Sequence, residues 1–438
     1  MSTLALTLTP FAPPTTAPAD FSEETWWLSL LKALFIVLFL IMSVIMALWV
    51  ERRGLGRMQT RPGPNVAGPL GLFQAFADAV KLLFKEDIWT DKAEKFIYFV
   101  APAISAFSAF MVLAVIPMGP NVNMFGRSTP LQMADTPIAI LYILAIASIG
   151  LYGTVLGGWS TRSTLPLLGS VRAAAQVISY ELAMGLSLVS VFLVVGSMST
   201  SEIVAAQHSV WWAFALLPAF IVYFISMVGE VNRLPFDLPE AEGELVAGHM
   251  TEYSSMKFGW YYLSEYINMF NVSAVATTVF LGGWHAPFGL SYVPFIDFNS
   301  GWWGNLKMWL FFFSMVWIRG TLLRFRYDQF MKLGWKILIP TSLVWLVLVA
   351  TLQGVRMWVT DSLLAITGGI VAVFLVVMII LWLFDRPEPE VKADEEFDPF
   401  AGGYPVPPLP GQQLPPSPRA GLVPAATAAT DQKEVRDE

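Results

Sequence analysis

Membrane-length apolar segments constrain this chain more than anything else in its sequence. Leu28–Val50 is long enough, at about 1.5 Å per residue, to cross the roughly 30 Å hydrocarbon core of a bilayer. Comparable runs follow at Phe96–Pro117, Ile138–Gly158, about Val177–Val195, Trp211–Val228, Ile267–Gly283, Trp302–Ile318, Ile337–Leu352 and Leu363–Phe384, roughly nine in all. In hydrocarbon each backbone N–H and C=O must be satisfied within its own segment, so the expected fold is an all-α, polytopic transmembrane bundle of about nine spans. Only 13% of residues are charged, against about 25% in soluble domains.

Basic residues orient the spans. Arg52, Arg53, Arg57, Arg61, Lys81, Lys85, Lys92 and Lys95 follow the first span, Arg162 and Arg172 the third, Arg233 and Lys257 the fifth, and Arg319, Arg324, Arg326, Lys332 and Lys336 the seventh. The intervening loops hold little beyond Arg127 and Arg356. By the positive-inside rule the odd-numbered loops are cytoplasmic, the N-terminus is outside, and nine spans put the tail in the cytoplasm. The run after Trp317 is most simply a stop signal, with docking of a partner as the other reading.

Three domains are expected. Residues 1–25, rich in Thr, Pro and Ala, read as a flexible segment and not as a signal peptide, since they lack a basic start. Residues 26–384 form the membrane domain. From Asp385 the composition shifts to Pro, Ala and acids, so 385–438 reads as a disordered tail.

One segment in the first loop is not a span. Arg61-Pro62-Gly63-Pro64-Asn65 breaks the helix, after which Leu72, Phe73, Phe76, Val80, Leu83 and Phe84 fall on one face and Gln74, Asp78, Lys81 and Lys85 on the other. This is an amphipathic helix lying along the interface, for which anchoring alone is a sufficient role.

The fifth cytoplasmic loop gathers acids: Glu230, Asp237, Glu240, Glu242, Glu244 and, further on, Glu252. Charge beside hydrocarbon is costly, and closely spaced carboxylates repel, which favours groups that hold or release protons near neutrality. The alternative is a helix start, because Asp237 precedes Glu240 by three residues and Pro239 suits a first turn. Both readings are compatible, with Glu240 and Glu244 sharing a face. Arg233 lies between Glu230 and Asp237 and could pair with either. His249 could shuttle protons in the same loop, whereas His208 and His285 are expected on the outer face.

The chain has no cysteine and three histidines. That excludes disulfides, iron–sulfur ligation and thiolate metal sites on this chain, so any electrons come from a partner. Nothing suggests nucleic-acid binding; the net charge is −7.

Glu51-Arg52-Arg53, Arg61 to Asn65, Gly71-Leu72-Phe73-Gln74, Ala77-Asp78-Ala79-Val80-Lys81, Ser179-Tyr180-Glu181, Pro235-Phe236-Asp237-Leu238-Pro239-Glu240-Ala241-Glu242 and Thr251-Glu252-Tyr253-Ser254-Ser255 together resemble the family of H-type membrane subunits of bacterial proton-pumping NADH-quinone oxidoreductase, respiratory complex I. The mitochondrial counterpart is complex I subunit 1. The resemblance runs in order from Leu28 to Leu352. It implies a membrane anchor in the bacterial inner membrane that docks a hydrophilic arm, walls part of a chamber for ubiquinone or menaquinone, and begins an acidic proton path. NADH, flavin and iron–sulfur clusters would sit in partner subunits. Carried over by motif, Arg52, Arg53, Asp78, Arg233 and Asp237 belong to the quinone chamber. Glu230, Glu240, Glu242 and Glu244 face the inner cavity, Glu181 continues the path into the membrane, and Glu252 and Glu265 are further candidates.

The sequence also departs from the family. Val66 and Ala67 follow Asn65 where an arginine is common, and the third span has no carboxylate, with Ser148 near the expected place. The path would then run through Glu181, other subunits or water. Two other readings remain: the equivalent anchor of a membrane-bound hydrogenase or other-donor dehydrogenase, and a stand-alone ion-coupled carrier. The carrier predicts internal repeats and broken charged helices, which are not evident.

Overall fold

The first span extends well past its apolar run. Helix α1, Trp26–Met58, has 33 residues, about 50 Å at 1.5 Å per residue, so Glu51, Arg52 and Arg53 are still helical where it leaves the hydrocarbon. Its buried stripe runs Leu28, Lys32, Ile36, Leu40, Val44, Ala47 and Glu51, a three- and four-residue spacing that keeps one face toward the bundle. Leu34, Leu38 and Met42 on other faces are exposed, as expected for a helix bathed in lipid.

A computed structural model describes residues 19–22, 24–124, 126–207, 210–237, 245–285 and 301–358. The ninth span Leu363–Phe384, the tail 385–438, residues 1–18, His208, and the loop acids Glu240, Glu242 and Glu244 lie outside the described residues.

Among the described residues, five helices are long and apolar enough to cross a membrane: Trp26–Met58, Lys95–Val115, Ala139–Ser160, Thr164–Val195 and Tyr327–Gly354. In order after α1 come the amphipathic α2 (Gln74–Phe84), α3 (Lys95–Val112, prolonged by a 3-10 turn), α4 (Ala139–Ser160) and α5 (Thr164–Val195). Then follow α6 (Thr200–Ala206), α7 (Trp212–Ala215), α8 (Leu217–Glu230), α9 (Ser255–Phe280), α10 (Gly301–Thr321), α11 (Tyr327–Lys332) and α12 (Ile339–Trp358), the last two joined by a π-helical turn at Leu333–Leu338.

Several boundaries differ from expectation. The expected span at Val177–Val195 begins at Thr164, so Glu181 stands in the body of α5 and not near its start. Polar Thr164, Ser170, Arg172 and Gln176 hid this, yet Ser170 and Gln176 are buried against other helices. The expected fifth span is broken: Leu216 leaves helical geometry (φ −116°, ψ 43°), and Pro218 occupies the first turn of α8, where its missing N–H costs nothing. A two-stranded antiparallel ribbon, β1 (Asn121–Met124) with β2 (Arg127–Pro130), pairs Asn121 with Pro130 and Met124 with Arg127. It adds a small β element to a mostly helical chain, and four-residue strands are too short to declare a period of two.

Between lipid-facing helices there is little hydrophobic drive, so close contact and polar pairing hold them together. At α3 and α4 the backbones approach until a Cβ on Gly153 would collide with Ser105 Oγ. Helix α9 is the central post; residues Ile267 to Phe280 are almost all buried, and Phe270 stacks on Phe312 of α10 with ring centres 5.1 Å apart. Helix α2 has Phe76, Leu83 and Phe84 exposed, as is Phe73 just before it, the apolar face expected of an interfacial helix.

Candidate functional site

The sharp turn after α1 folds the first loop back on the helix. Arg53 donates to the Leu70 carbonyl at 2.9 Å and lies over the Trp49 ring, whose Nε1 donates to the same carbonyl at 3.1 Å. One residue earlier, Arg52 reaches α2 and pairs with Asp78 at 2.6 Å. Burial alone would raise the Asp78 carboxyl, but the Arg52 guanidinium outweighs it and holds the group below the usual carboxylate range. Arg52, Arg53 and Asp78 are thus brought together, clamping the amphipathic helix to the end of α1.

Behind this clamp is a polar cleft of about 380 Å³, lined by Glu51, Arg52, Arg61, Pro62, Tyr262, Tyr266 and Arg319 among others. Its floor is a buried ionic cluster. Glu51, 3% exposed, accepts from Arg233 at 3.2 Å and from the Tyr266 hydroxyl at 2.7 Å, and it also pairs with Arg319. Arg233 in turn reaches Glu265 at 3.1 Å and lies over the Tyr266 ring. Burial pulls the Arg233 guanidinium down, but Glu265, Tyr266 and Glu51 more than compensate and keep it charged.

Arg233 therefore finds partners from α1 and α9, far away in sequence, in Glu51 and Glu265. Glu230 keeps Oε2 without a hydrogen-bond partner among the described residues. Glu51 is the residue that sequence reasoning missed as a site member. The signal was present: it continues the three- and four-residue stripe of α1's inward face, where a carboxylate needs a cation. Arg319, expected to be part of a stop signal, supplies one of the two.

Beyond the cluster a second cavity of about 110 Å³ runs into the bundle, lined by Glu265, Asn232, Glu230, His249, Tyr261 and Asn268, then by apolar residues such as Ile143 and Leu188. Glu230 lies within electrostatic reach of Glu181, whose Oε1 accepts from Ser148 Oγ of α4 at 2.5 Å. Burial pushes the His249 imidazole down to about 4, so it is neutral at pH 7.

The loop that carries these groups is fastened at Phe236. That ring packs with Tyr180, Phe325 and Phe330 at 5.7, 5.6 and 4.9 Å, and its carbonyl accepts from Gln176 Nε2 at 2.8 Å. The same Nε2 reaches the Gly229 carbonyl at 2.7 Å. Gly229 is required there, since a Cβ would lie 2.6 Å from the Tyr180 ring. Asp237 offers its carbonyl to Arg324 and is within electrostatic reach of Glu265. Glu252 is elsewhere: its carboxylate accepts from Thr90 at 3.4 Å and its carbonyl from Tyr98 at 2.6 Å, and it lines neither cavity.

The two cavities thus meet at one buried arginine that two carboxylates share. Comparison with known proteins gives this a context. Residues 31–350 match the family described as NADH dehydrogenase. The chain is also 50% identical over 412 residues, 91% of its length and 90% of the relative's, to a protein of Streptomyces avermitilis named as the H-type subunit of NADH-quinone oxidoreductase.

Proposed function

The chain belongs to the NADH dehydrogenase family, and on that premise we propose that it is the membrane anchor of a proton-translocating NADH-quinone oxidoreductase, walling the quinone chamber and opening its proton path. The observation that carries this reading is a shared wall. The Glu51–Arg233–Glu265 cluster separates the polar cleft from the inner cavity, with Glu51 lining the first and Glu265 the second.

The cleft suits a quinone head in size, since small-molecule sites run from about 300 to 1,000 Å³, and in chemistry. Arg52 and Arg61 line it beside Tyr262 and Tyr266, and the two guanidinium groups can donate to the two oxygens of a ubiquinone or menaquinone. Reducing a quinone takes two electrons and two protons. The electrons come from an iron–sulfur cluster in a partner subunit, itself fed by NADH and flavin, because this chain has no cysteine to ligate one. Cytoplasmic loops, including the basic turn after α1, are the docking face for that hydrophilic arm; the chain sits in the bacterial inner membrane with its N-terminus outside.

Coupling follows from burial. Two carboxylates sharing one desolvated guanidinium cannot both be fully compensated if the charge at the cleft changes. A proton gained or lost at Glu51 shifts the pull of Arg233 on Glu265. From there the acids Glu230 and Glu181 continue inward, while Asp237 and the loop acids Glu240, Glu242 and Glu244 serve as the cytoplasmic supply. Glu252, turned toward the loop before α3, serves as a structural anchor.

A photoreactive quinone analogue tests this in the assembled complex. Labelling of this chain between Arg52 and Lys85 or within Glu230 to Glu252 is expected, and labelling confined to other subunits would remove the chamber assignment.

A further inference from the structure

The inner cavity contains a group that the acidic path does not use. His249 sits in a 3-10 turn, Gly248–Met250, between the acidic loop and α9, and is 5% exposed. The turn is wedged against α5, where a Cβ on Gly169 would lie 2.6 Å from Gly248 Cα. The imidazole meets Tyr261 edge-on, 5.1 Å between ring centres at 85°. Tyr261 spends its own hydroxyl proton on the Gly153 carbonyl at 3.0 Å. The ring is therefore fixed on two sides, and it lines the cavity together with Glu230, Asn232 and Glu265.

Its Nδ1 has no hydrogen-bond partner among the described residues, and the same is true of Glu230 Oε2, Asn232 Oδ1 and Asn271 Oδ1, all lining that cavity. Four such atoms around one space are more than a folded chain tolerates dry, since each unpaired buried polar atom costs about 1–3 kcal/mol. The space, about 110 Å³, is well above the roughly 10–15 Å³ that one water needs.

We propose that His249 is a positioning residue of this chamber, holding an ordered water that bridges the ionic cluster at Glu265 to Glu230. The inference rests on the reading of the chamber as a proton path. A neutral imidazole has one N–H and one lone pair, so it can orient a water without competing with the carboxylates for the proton. Burial keeps it neutral. The ionisable groups that share the cavity with it are Glu230 from α8, Tyr223 from the same helix, and Glu265 and Tyr261 from α9.

The test uses the assembled complex with His249→Phe, which keeps a ring against Tyr261 but removes both nitrogens, and His249→Gln, which restores a donor and an acceptor. Expected for H249F is normal NADH oxidation by a water-soluble acceptor, quinone-coupled turnover lower by roughly fivefold to tenfold, the scale of one lost hydrogen bond, and a larger solvent deuterium effect. H249Q should recover most of the rate. A wild-type map fine enough to show waters should place one within hydrogen-bond distance of the imidazole.

Wild-type turnover and isotope effect in H249F would overturn the proposal, and so would a wild-type map with no such water. If H249F does not assemble, H249Q and the map decide. Glu230→Gln and Glu265→Gln separate the two ideas: normal coupling in both removes the proton-path reading itself, whereas defects there beside a normal H249F remove only the role of His249.

Discussion

Ser148 of α4 donates to Glu181 of α5 at 2.5 Å, so a hydroxyl on one membrane-length helix is bonded to the acid in the body of the next. The Ser148 hydroxyl can alternatively donate to the Leu144 carbonyl at 3.0 Å, which gives it two rotamer-dependent partners and lets it follow the charge of Glu181.

Removing that donor should be felt in function. Ser148→Ala deprives Glu181 of its protein donor, and hydrogen bonds to charged groups contribute about 1.5–3 kcal/mol. Quinone-coupled turnover should fall by about tenfold or more, with Ser148→Thr close to wild type. Infrared difference spectra of the carboxyl region during turnover check this, and identical bands in wild type and S148A would count against it.

The ionic cluster should behave as a unit. Glu51→Ala strips Arg233 and Arg319 of a shared partner, and breaking a buried pair costs about 3–5 kcal/mol because the remaining charge is unpaired. The double variant Arg233→Met with Glu265→Gln, which removes the carboxylate stranded by loss of the arginine and leaves Glu51 paired to Arg319, should be more stable than Arg233→Met alone. Thermal unfolding of the detergent-solubilised complex measures both, and equal losses in single and double variants would contradict the coupling between them.

Gln176 should control the order of the acidic loop. Gln176→Leu takes the side-chain donor from the Phe236 carbonyl, and from the Gly229 carbonyl, which keeps the Asn232 N–H at 3.4 Å, at about 1–3 kcal/mol for the Phe236 group left unsatisfied. Amide exchange over 229–237 should speed up by at least about tenfold, while exchange in α9 stays as it was. Unchanged protection of that loop would show that the Phe236 ring packing alone holds it.

Acid should weaken the fold through His249. Its folded pKa is about 4 against an ordinary 6.5, so below 6.5 the unfolded chain binds a proton that the folded chain refuses. The contribution is fully present above pH 6.5 and is lost as pH falls from 6.5 toward 4, about 3 kcal/mol at most. His249→Gln should flatten the fall in thermal midpoint across that window. A parallel decline in wild type and variant would assign the acid sensitivity to other groups.

Much of this was legible in the chain itself because it depends on local pattern. The amphipathic helix was visible in the spacing from Leu72 to Phe84, and the clustering of acids around Asp237 drew attention to the loop. Pairing was harder to read. Arg233 sits next to Glu230 in sequence, yet its partners are Glu51 and Glu265, which only helix packing could bring within 3.2 Å. The surroundings of Glu252, named a candidate through its motif, were no more legible: it is held beside Thr90 and Tyr98.

By itself the sequence determined that the chain is a multi-span helical membrane protein with an interfacial helix and an acidic loop, because the bilayer penalises unsatisfied backbone and charge residue by residue, and that penalty is written along the chain. Which acid meets which base was decided only by tertiary structure. A desolvated charge takes whichever partner the packed helices place within a few ångströms, and that geometry is a property of helix faces and crossing points, not of neighbours in sequence.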